Sequence, residues 1–274
     1  MSNKKFQLYG APFEAGIHAD TAQGVDSANG PDEVRKLFAE LYANYNIPTF
    51  INDHGDIECT ASSDVDSVLT AVENTVESIL KSKEQFLIFG GSHTITLGTQ
   101  RALRKNAGNY SLIYFDAHPD CMPEKEIHYG SSIYHAIEEG NVDPNRLLYI
   151  GIRHIEDEEQ SYIEKKKIKC LYGDDFLTND WMPRFEQLSS QLPPPYVLSI
   201  DLDSIDPMYA PGVSTPYPFG LSLRELLLMA KTFCGKDLLG FEIVELAPKF
   251  DTNATTARIA AGLIHELTKA CSIS

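Results

Sequence analysis

Residues 112–120 of the chain read Leu-Ile-Tyr-Phe-Asp-Ala-His-Pro-Asp. The first four residues, Leu112–Phe115, are all apolar or aromatic, which predicts a strand buried on both faces of a parallel sheet. The change to Asp116-Ala117-His118-Pro119-Asp120 marks the end of this strand and supplies side chains that bind metals or protons. In open α/β sheets, ligands bind beyond the carboxyl ends of the strands, so this segment predicts both a fold and a site.

Similar apolar runs recur along the chain and alternate with segments of helical period. The predicted strands are Phe6–Tyr9, Pro48–Ile51, Phe86–Phe89, Leu112–Phe115, Leu147–Ile152, Ile168–Tyr172, Tyr196–Ile200 and Leu239–Val244. The predicted helices are Pro31–Tyr45, Asp64–Lys81, Ser222–Phe233 and Thr255–Lys269. This alternation predicts one three-layer α/β/α domain over residues 1–274, with a mostly parallel, doubly wound sheet of about eight strands.

The composition excludes several classes of partner. The chain has 274 residues, 43% of them hydrophobic, and a formal net charge of −16. This charge disfavours nucleic acids and anionic membranes, which bind basic patches, and favours small-molecule substrates that are cationic, or metal ions. No apolar stretch approaches the ~20 residues of a membrane helix, and the N-terminal residues lack a signal-peptide core. The five cysteines are widely spaced and form no C-x-x-C motif, so we expect a cytoplasmic protein.

Four predicted strands end in polar residues that should meet at one edge of the sheet. If the backbone beyond each strand is extended, residues i and i+2 point to the same side, which brings these side chains together. Crowded, buried carboxylates are costly unless they are paired with cations, and a mixture of imidazole and carboxylate suits a divalent metal. Six candidate ligands exceed the needs of one catalytic zinc, so two ions fit better. The candidate ligands are His93, Asp116, His118, Asp120, Asp201 and Asp203, with Glu245 beside them.

Three of these segments resemble motifs of the arginase/agmatinase/formimidoylglutamase (ureohydrolase) family. They are Gly90-Gly91-Ser92-His93, Asp116–Asp120 and Ser199–Pro207. Further similar segments follow the same order along the chain, so the resemblance covers nearly all of it. These are Asn29-Gly30-Pro31 with Arg35, Ile150–Arg153, Ala210–Pro216, Gly220–Ser222, Glu245–Pro248 and Thr256-Ala257-Arg258.

The resemblance implies a centre of two manganese ions per chain. One ion would be held by His93, Asp116, Asp120 and Asp201, and the other by His118, Asp116, Asp201 and Asp203. The resemblance also implies a hydroxide bridging the ions, which attacks a linear guanidino or amidine substrate and cleaves a C–N bond. By the same analogy, Asp120 passes a proton to the leaving amine, and Glu245 binds the planar cation of the substrate.

Two positions depart from the family pattern. The family has Gly-Gly-Asp-His where this chain has Ser92 before His93, so we expect the ion at His93 to bind less tightly or to be a different metal. Arginases and agmatinases carry a histidine, proposed to shuttle protons, before a glycine that aligns with Gly130. Tyr129 takes that place here as a substrate-binding residue, and the neighbouring His128 is either the proton shuttle or a surface-loop histidine.

The segment Met122–Ile127 bears on the substrate. It lacks the Asn, Ser and Thr side chains that hold the amino-acid head in arginases, which disfavours arginine. Its two glutamates favour a cationic tail, as in agmatine, whose products would be putrescine and urea. The alternative is a formimidoylglutamase, which would release formamide and glutamate, or another guanidino-acid ureohydrolase. The sequence of Pro211–Pro216 resembles that of formimidoylglutamases. Their anionic substrate would need basic partners, which Lys125, Arg153 or Arg258 could supply.

Two other hypotheses are less favoured. Histone deacetylases resemble this fold and also use D-x-H with a further aspartate, so a single-zinc deacylase is one alternative. The presence of both His93 and Asp203 favours two metals instead. A non-catalytic family member is the other alternative, and it is disfavoured because all six ligand positions are filled. The resemblance also implies a homo-oligomer, either a trimer or a hexamer.

Overall fold

One parallel sheet organises the chain. The computed structural model describes residues 5–14, 26–42, 51–60, 63–178, 180–235 and 237–273. Its eight strands pair in parallel in the order β2-β1-β3-β8-β7-β4-β5-β6. The strands are β1 Phe6–Ala11, β2 Ile51–Asp56, β3 Gln85–Gly90, β4 Ser111–Phe115, β5 Leu147–Ile152, β6 Lys169–Tyr172, β7 Tyr196–Asp201 and β8 Leu238–Val244.

Helices cover both faces of the sheet and form two apolar cores. Along β4, Leu112 and Tyr114 pack into one core, while Ile113 and Phe115 pack into the other. Helices α2 to α5 contribute to the first core, and α1, α6, α7 and α8 to the second. The helices are α1 Gly30–Tyr42, α2 Val65–Lys81, α3 Thr96–Ala107, α4 Ser132–Glu138, α5 Asp157–Lys166, α6 Trp181–Ser189, α7 Leu223–Thr232 and α8 Thr255–Ile273. The predicted three-layer α/β/α fold is therefore confirmed.

Strand β2 differs most from its prediction. It spans Ile51–Asp56, whereas residues 48–50 of the predicted strand lie outside the described residues. The sequence of β2 is polar because it is an edge strand, paired only with β1, and its last four residues are exposed. Residues 43–45 of the helix predicted over Pro31–Tyr45 also lie outside the described residues.

Four helices, α3 to α6, are not predicted from the sequence. These helices are short or bury few large apolar residues, so they give little hydrophobic periodicity. Helix α3 buries Thr96, Gly98, Thr99 and Gln100 beside a few apolar residues, and α5 buries only Tyr162, Ile163 and Glu159. In the part of the chain that the structure describes, no helix combines the length and apolarity needed to cross a membrane.

The strand order places the candidate ligands side by side. Strands β3, β8, β7 and β4 are consecutive in the sheet, and these are the strands followed by His93, Glu245, Asp201 and Asp116. Because all four strands are parallel, their carboxyl ends lie at one edge of the sheet. The fold therefore brings together residues that are up to 152 positions apart in the sequence.

Two helix-interior glycines give opposite predictions for stability. A Cβ atom on Gly98 of α3 would lie 2.7 Å from the carbonyl oxygen of Leu69 and 3.0 Å from Cβ of Val72 in α2, whereas one on Gly262 of α8 meets no described atom within 4 Å. We expect Gly98→Ala to lower the free energy of unfolding by about 1–3 kcal/mol through overpacking. Gly262→Ala should raise it by about 0.5–1 kcal/mol by favouring the helix. Urea unfolding of both variants measures the difference, and equal effects would contradict the packing of α2 on α3.

Candidate metal centre

Two groups of metal-binding side chains lie at the carboxyl edge of the central strands. The first consists of His93, Asp116 and Asp120, and the second of Asp116, His118 and Asp203; in each group the ligand atoms lie within 4.8 Å of one another. Asp116 belongs to both. This arrangement could hold two cations that share one carboxylate.

The first group surrounds Nδ1 of His93. Carboxylate oxygens of Asp116, Asp120 and Asp201 lie 2.9, 3.2 and 3.2 Å from this nitrogen. The other ring nitrogen, Nε2, is hydrogen-bonded to Oγ of Ser199 at 2.8 Å. Because Nε2 is occupied, Nδ1 is the nitrogen that could bind a metal.

The second group surrounds Nδ1 of His118. It lies 3.0 Å from Oδ2 of Asp203 and 3.4 Å from Oδ1 of Asp116. The hydroxyl of Thr215 donates to the same Asp203 oxygen at 3.3 Å. The four aspartates and His93 have side chains no more than 4% exposed, whereas that of His118 is 21% exposed. Solvent therefore reaches the centre from the side of His118.

Tight turns, and not extended backbone, bring the aspartates together. Oδ1 of Asp116 accepts the amide of His118 at 2.7 Å, and Oδ1 of Asp201 accepts the amide of Asp203 at 2.7 Å. Each aspartate thus closes a turn on the residue two positions later. Leu202–Ser204 forms a 3-10 helix, and Asp120 has a left-handed φ of 48°. The predicted residues do converge, but the i, i+2 argument from extended backbone was wrong.

Close backbone packing positions His93. A Cβ atom on Gly91 would lie 2.0 Å from the carbonyl oxygen of Phe13, so only glycine fits where the chain leaves β3. Ser92 is buried, and its hydroxyl bonds that of Thr94 at 2.9 Å. Ser92 therefore stabilises the turn that follows it and supplies no carboxylate to His93.

Glu245 joins the site from the end of β8. Its Oε1 accepts the backbone amide of His93 at 2.7 Å, and its own amide donates to the carbonyl of Gly91 at 2.9 Å. Burial, with the charges of Asp203 and Asp120, raises the pKa of Glu245 to about 7 although the His93 amide opposes the shift. Oε1 is thus committed to the protein, so Oε2 is the oxygen that could bind a ligand.

The carboxylates of the centre repel one another. Burial and the charges of Asp120 and Asp203 raise the pKa of Asp116 to about 6. Burial and the charges of Asp203 and Asp116 hold the pKa of Asp201 well above its usual range. These groups resist ionisation unless a cation lies close to them.

The carboxylates favour the charged forms of the two imidazoles. Burial disfavours the charged form of His118, but Asp203 and Asp116 outweigh it and raise the pKa to about 12. Burial likewise opposes charging of His93, and the carboxylates of Asp116, Asp120 and Asp201 still hold its pKa well above its usual range. In the metal-free protein, protons on the two histidines therefore offset part of the negative charge.

One buried oxygen fits a bound cation directly. Oδ2 of Asp116 has no hydrogen-bond partner among the described residues, since its 2.9 Å contact with His93 lacks hydrogen-bond geometry. An unpaired buried carboxylate oxygen is costly. A metal ion between Asp116 and His93 would bind both atoms, so the residues present fit the predicted metal.

Sequence reasoning missed Tyr114, which lies at the edge of the first group. Its hydroxyl donates to Oδ2 of Asp120 at 2.6 Å and lies 3.0 Å from Nδ1 of His93, and its ring stacks on His93. Burial, followed by the charges of Asp120 and Asp116, holds the pKa of Tyr114 well above its usual range, so the phenol stays a donor. The sequence offered a signal, because Tyr114 carries a polar hydroxyl in β4 only two residues before Asp116.

His128 and Tyr129 occupy different surroundings. Nε2 of His128 lies 3.1 Å from a carboxylate oxygen of Glu124, and its Nδ1 accepts the amide of Gly130 at 3.2 Å. Tyr129 is half-buried, and burial followed by the charges of Glu245 and Asp120 raises its pKa. The charges of Glu245 and Asp120 thus act on Tyr129, whereas His128 contacts Glu124 and Gly130 within its own loop.

Arg153 does not supply a free cation to the site. Its guanidinium donates to the backbone carbonyls of Asp203 and Tyr217, each at 2.7 Å, and to that of Pro218 at 3.1 Å. Its role as a partner for an anionic substrate was therefore wrong, and it anchors a loop instead. Lys125 and Arg258, the other two residues considered for that role, are exposed.

The comparisons with known proteins agree with this geometry. The family model described as Arginase family matches residues 4–269. The chain belongs to the arginase family. As a member it is a hydrolase that acts on C–N bonds of guanidino or amidino groups, as the resemblance implied. This membership, with two metal-binding groups, favours the predicted two-ion centre over a single-zinc deacylase.

Individual members of the arginase family align over nearly their full length. The agmatinase of Serratia proteamaculans is 28% identical over 272 residues, which cover 96% of this chain and 86% of that protein. The crystal structure of the agmatine ureohydrolase of Thermoplasma volcanium has a TM-score of 0.83 at 28% identity and covers 98% of this chain and 90% of its own. The formimidoylglutamase of Bacillus subtilis has a TM-score of 0.86 at 23% identity, and the match covers 99% of this chain and 88% of that protein. At this identity the likeness supports the fold alone.

Metal binding should release protons. The surrounding carboxylates raise the pKa of His93 and His118, and a histidine must be neutral to bind a metal, so we expect each to release a proton as a divalent metal ion binds. The apparent affinity should fall as the pH falls, because protons compete for the same nitrogens. Calorimetric titration in buffers of different ionisation enthalpy measures the number released. Binding with no proton release and no pH dependence would contradict the assignment.

Proposed function

We propose that this chain is a manganese-dependent ureohydrolase of the agmatinase type, which hydrolyses agmatine to putrescine and urea as a single domain over residues 1–274. The observation that carries the proposal is the pair of carboxylate–imidazole groups that share Asp116. Two ions fit this pair, and the mixed ligands suit manganese. The five free cysteines support a cytoplasmic location, and we expect a homo-oligomer as in other family members.

The proposed ligand sets follow from the two groups. His93, Asp116, Asp120 and Asp201 would hold one ion, and His118, Asp116, Asp201 and Asp203 the other. Bound manganese would supply Lewis acidity, which activates water for attack at neutral pH. Asp201 would join the first set because one of its oxygens lies 3.2 Å from Nδ1 of His93, and its place in the second set follows from the family resemblance.

The remaining residues would bind the substrate and move protons. The oxygen of Glu245 that is not bonded to His93 would accept from the guanidinium and orient its central carbon towards the centre. The raised pKa of Tyr129 keeps its hydroxyl protonated, so it would donate a hydrogen bond to the substrate. Asp120 would take a proton at its carboxylate and pass it to the leaving amine, and His128, paired with Glu124, would exchange that proton with solvent.

Agmatine is favoured over an anionic substrate by the charges around the centre. Arg153 is held by backbone carbonyls, and the chain as a whole has a net charge of −16. A doubly positive substrate would be attracted to such a protein, whereas formiminoglutamate would be repelled. The agmatinase relatives at 28% identity support the same choice.

A substrate screen tests the proposed reaction. The manganese-loaded protein should release urea from agmatine at a higher kcat/KM than from arginine or 4-guanidinobutyrate, and no formamide from formiminoglutamate. Asp116→Ala should remove both ions and lower kcat by at least about a thousandfold, because the nucleophile is lost. Asp174→Ala, at an exposed carboxylate outside the centre, is the matched control. Formamide release without urea would instead identify a formimidoylglutamase.

Kinetic constants separate the roles of Glu245 and His128. We expect Glu245→Gln to raise KM for agmatine about 10–100-fold with both metal ions retained, because a charge-assisted hydrogen bond is lost. His128→Gln should lower kcat about a hundredfold with little change in KM, if it moves protons. Steady-state kinetics and metal analysis of each variant measure both effects. An unchanged kcat in His128→Gln would leave His128 as a structural residue of its loop.

A further inference from the structure

The entrance to the centre is bordered by aromatic rings. Among the six proposed ligands, His118 has the only side chain exposed beyond 4%, at 21%, so the centre is open to a substrate beside it. The rings of His154 and Tyr217 stack on each other with centroids 4.1 Å apart and an interplanar angle of 28°. Both stand edge to face with His118, with centroids 5.2 and 5.9 Å from its ring. We call His154 and Tyr217 the aromatic wall.

The backbone holds this wall in place. Arg153 donates to the carbonyl of Tyr217 at 2.7 Å from Nη2 and to that of Pro218 at 3.1 Å from Nε. Its Nη2 also donates to the carbonyl of Asp203, one of the proposed ligands, at 2.7 Å. In the same loop, Thr215 donates to the carboxylate of Asp203. The loop that carries Tyr217 is therefore tied to the metal centre, and Arg153 is a positioning residue for the wall.

The chemistry of the wall selects between substrate tails. Once Glu245 has bound the guanidinium, the far end of a linear substrate extends towards the entrance. There an aromatic ring attracts a cation through its quadrupole and packs against methylene groups, but it repels a carboxylate. Arg153 cannot bind a carboxylate in its place, because its guanidinium already donates to five backbone carbonyls.

We propose that His154 and Tyr217 determine specificity by binding the cationic end of a linear guanidine substrate. This inference rests on the proposed function and adds the residues that recognise the tail. The substrate class is a guanidine joined through a short aliphatic chain to an ammonium group. Guanidino acids of the same length fall outside this class because their carboxylates would meet the ring faces.

Three ligands of equal chain length test the wall on the manganese-loaded protein. Agmatine ends in an ammonium group, 4-guanidinobutyrate in a carboxylate and butylguanidine in a methyl group. We expect Tyr217→Leu to raise the KM and the calorimetric Kd for agmatine about tenfold, with kcat within about twofold. The values for butylguanidine should change little, so the preference for the cationic tail disappears.

Two further variants make the test specific. Tyr217→Phe keeps the aromatic face and should restore most of the preference for agmatine. Phe219→Leu removes another aromatic ring from the same loop, but this ring is 73% exposed, so the constants should stay at the wild-type values. Thermal unfolding of every variant confirms that the loop change leaves the protein folded.

The outcomes separate this proposal from the proposed function. If KM and Kd for agmatine are unchanged in Tyr217→Leu and turnover is intact, the proposed role of the aromatic wall is overturned. The proposed ureohydrolase activity then stands. An equal rise for all three ligands would also overturn it, because the loop would then only shape the pocket. Agmatine binding that depends on Tyr217 without any urea release would support the wall and overturn the proposed reaction.

Discussion

Four buried aspartates and two histidines share one small volume at the edge of the sheet, and their mutual charge is the constraint on which the site depends. The carboxylates cannot all ionise in a water-poor interior without cations close by. In the metal-free protein the two imidazoles carry protons, and the pKa values of Asp116 and Asp201 are raised. Metal ions would replace these protons, so metal affinity, proton release and local stability are linked properties of one cluster.

Backbone turns and left-handed φ angles hold the side chains of this cluster together. Asp116 and Asp201 each fold back onto the amide two residues later, which fixes their carboxylates before any ligand binds. Asp120 and Glu245 adopt left-handed φ angles of 48° and 65°, which non-glycine residues rarely occupy. Such strain is found at functional sites, where the surrounding packing maintains it. Strands β3 and β4 beside it are fully buried and provide that rigid support.

The sequence predicts the central strands well, and it singles out the five side chains that the structure groups at their carboxyl ends, since both leave strong local signals. Apolar runs such as Leu112–Phe115 end directly in metal-binding residues. The prediction is poor for elements without a regular apolar face. Strand β2 is a polar edge strand, and α3 packs through Gly98 and threonines. The turns at Asp116 and Asp201, and the bond from Tyr114 to Asp120, depend on contacts across the fold. Periodicity along the chain does not encode such contacts.

The central claim is that one carboxylate, Asp116, serves two metal ions. The most direct measurement is an anomalous difference map at the manganese edge from crystals grown with excess manganese. The account predicts two peaks about 3.5–4 Å apart, one beside His93 and one beside His118, with Asp116 between them. A single peak, or none with the side chains as ordered as they are here, would contradict it.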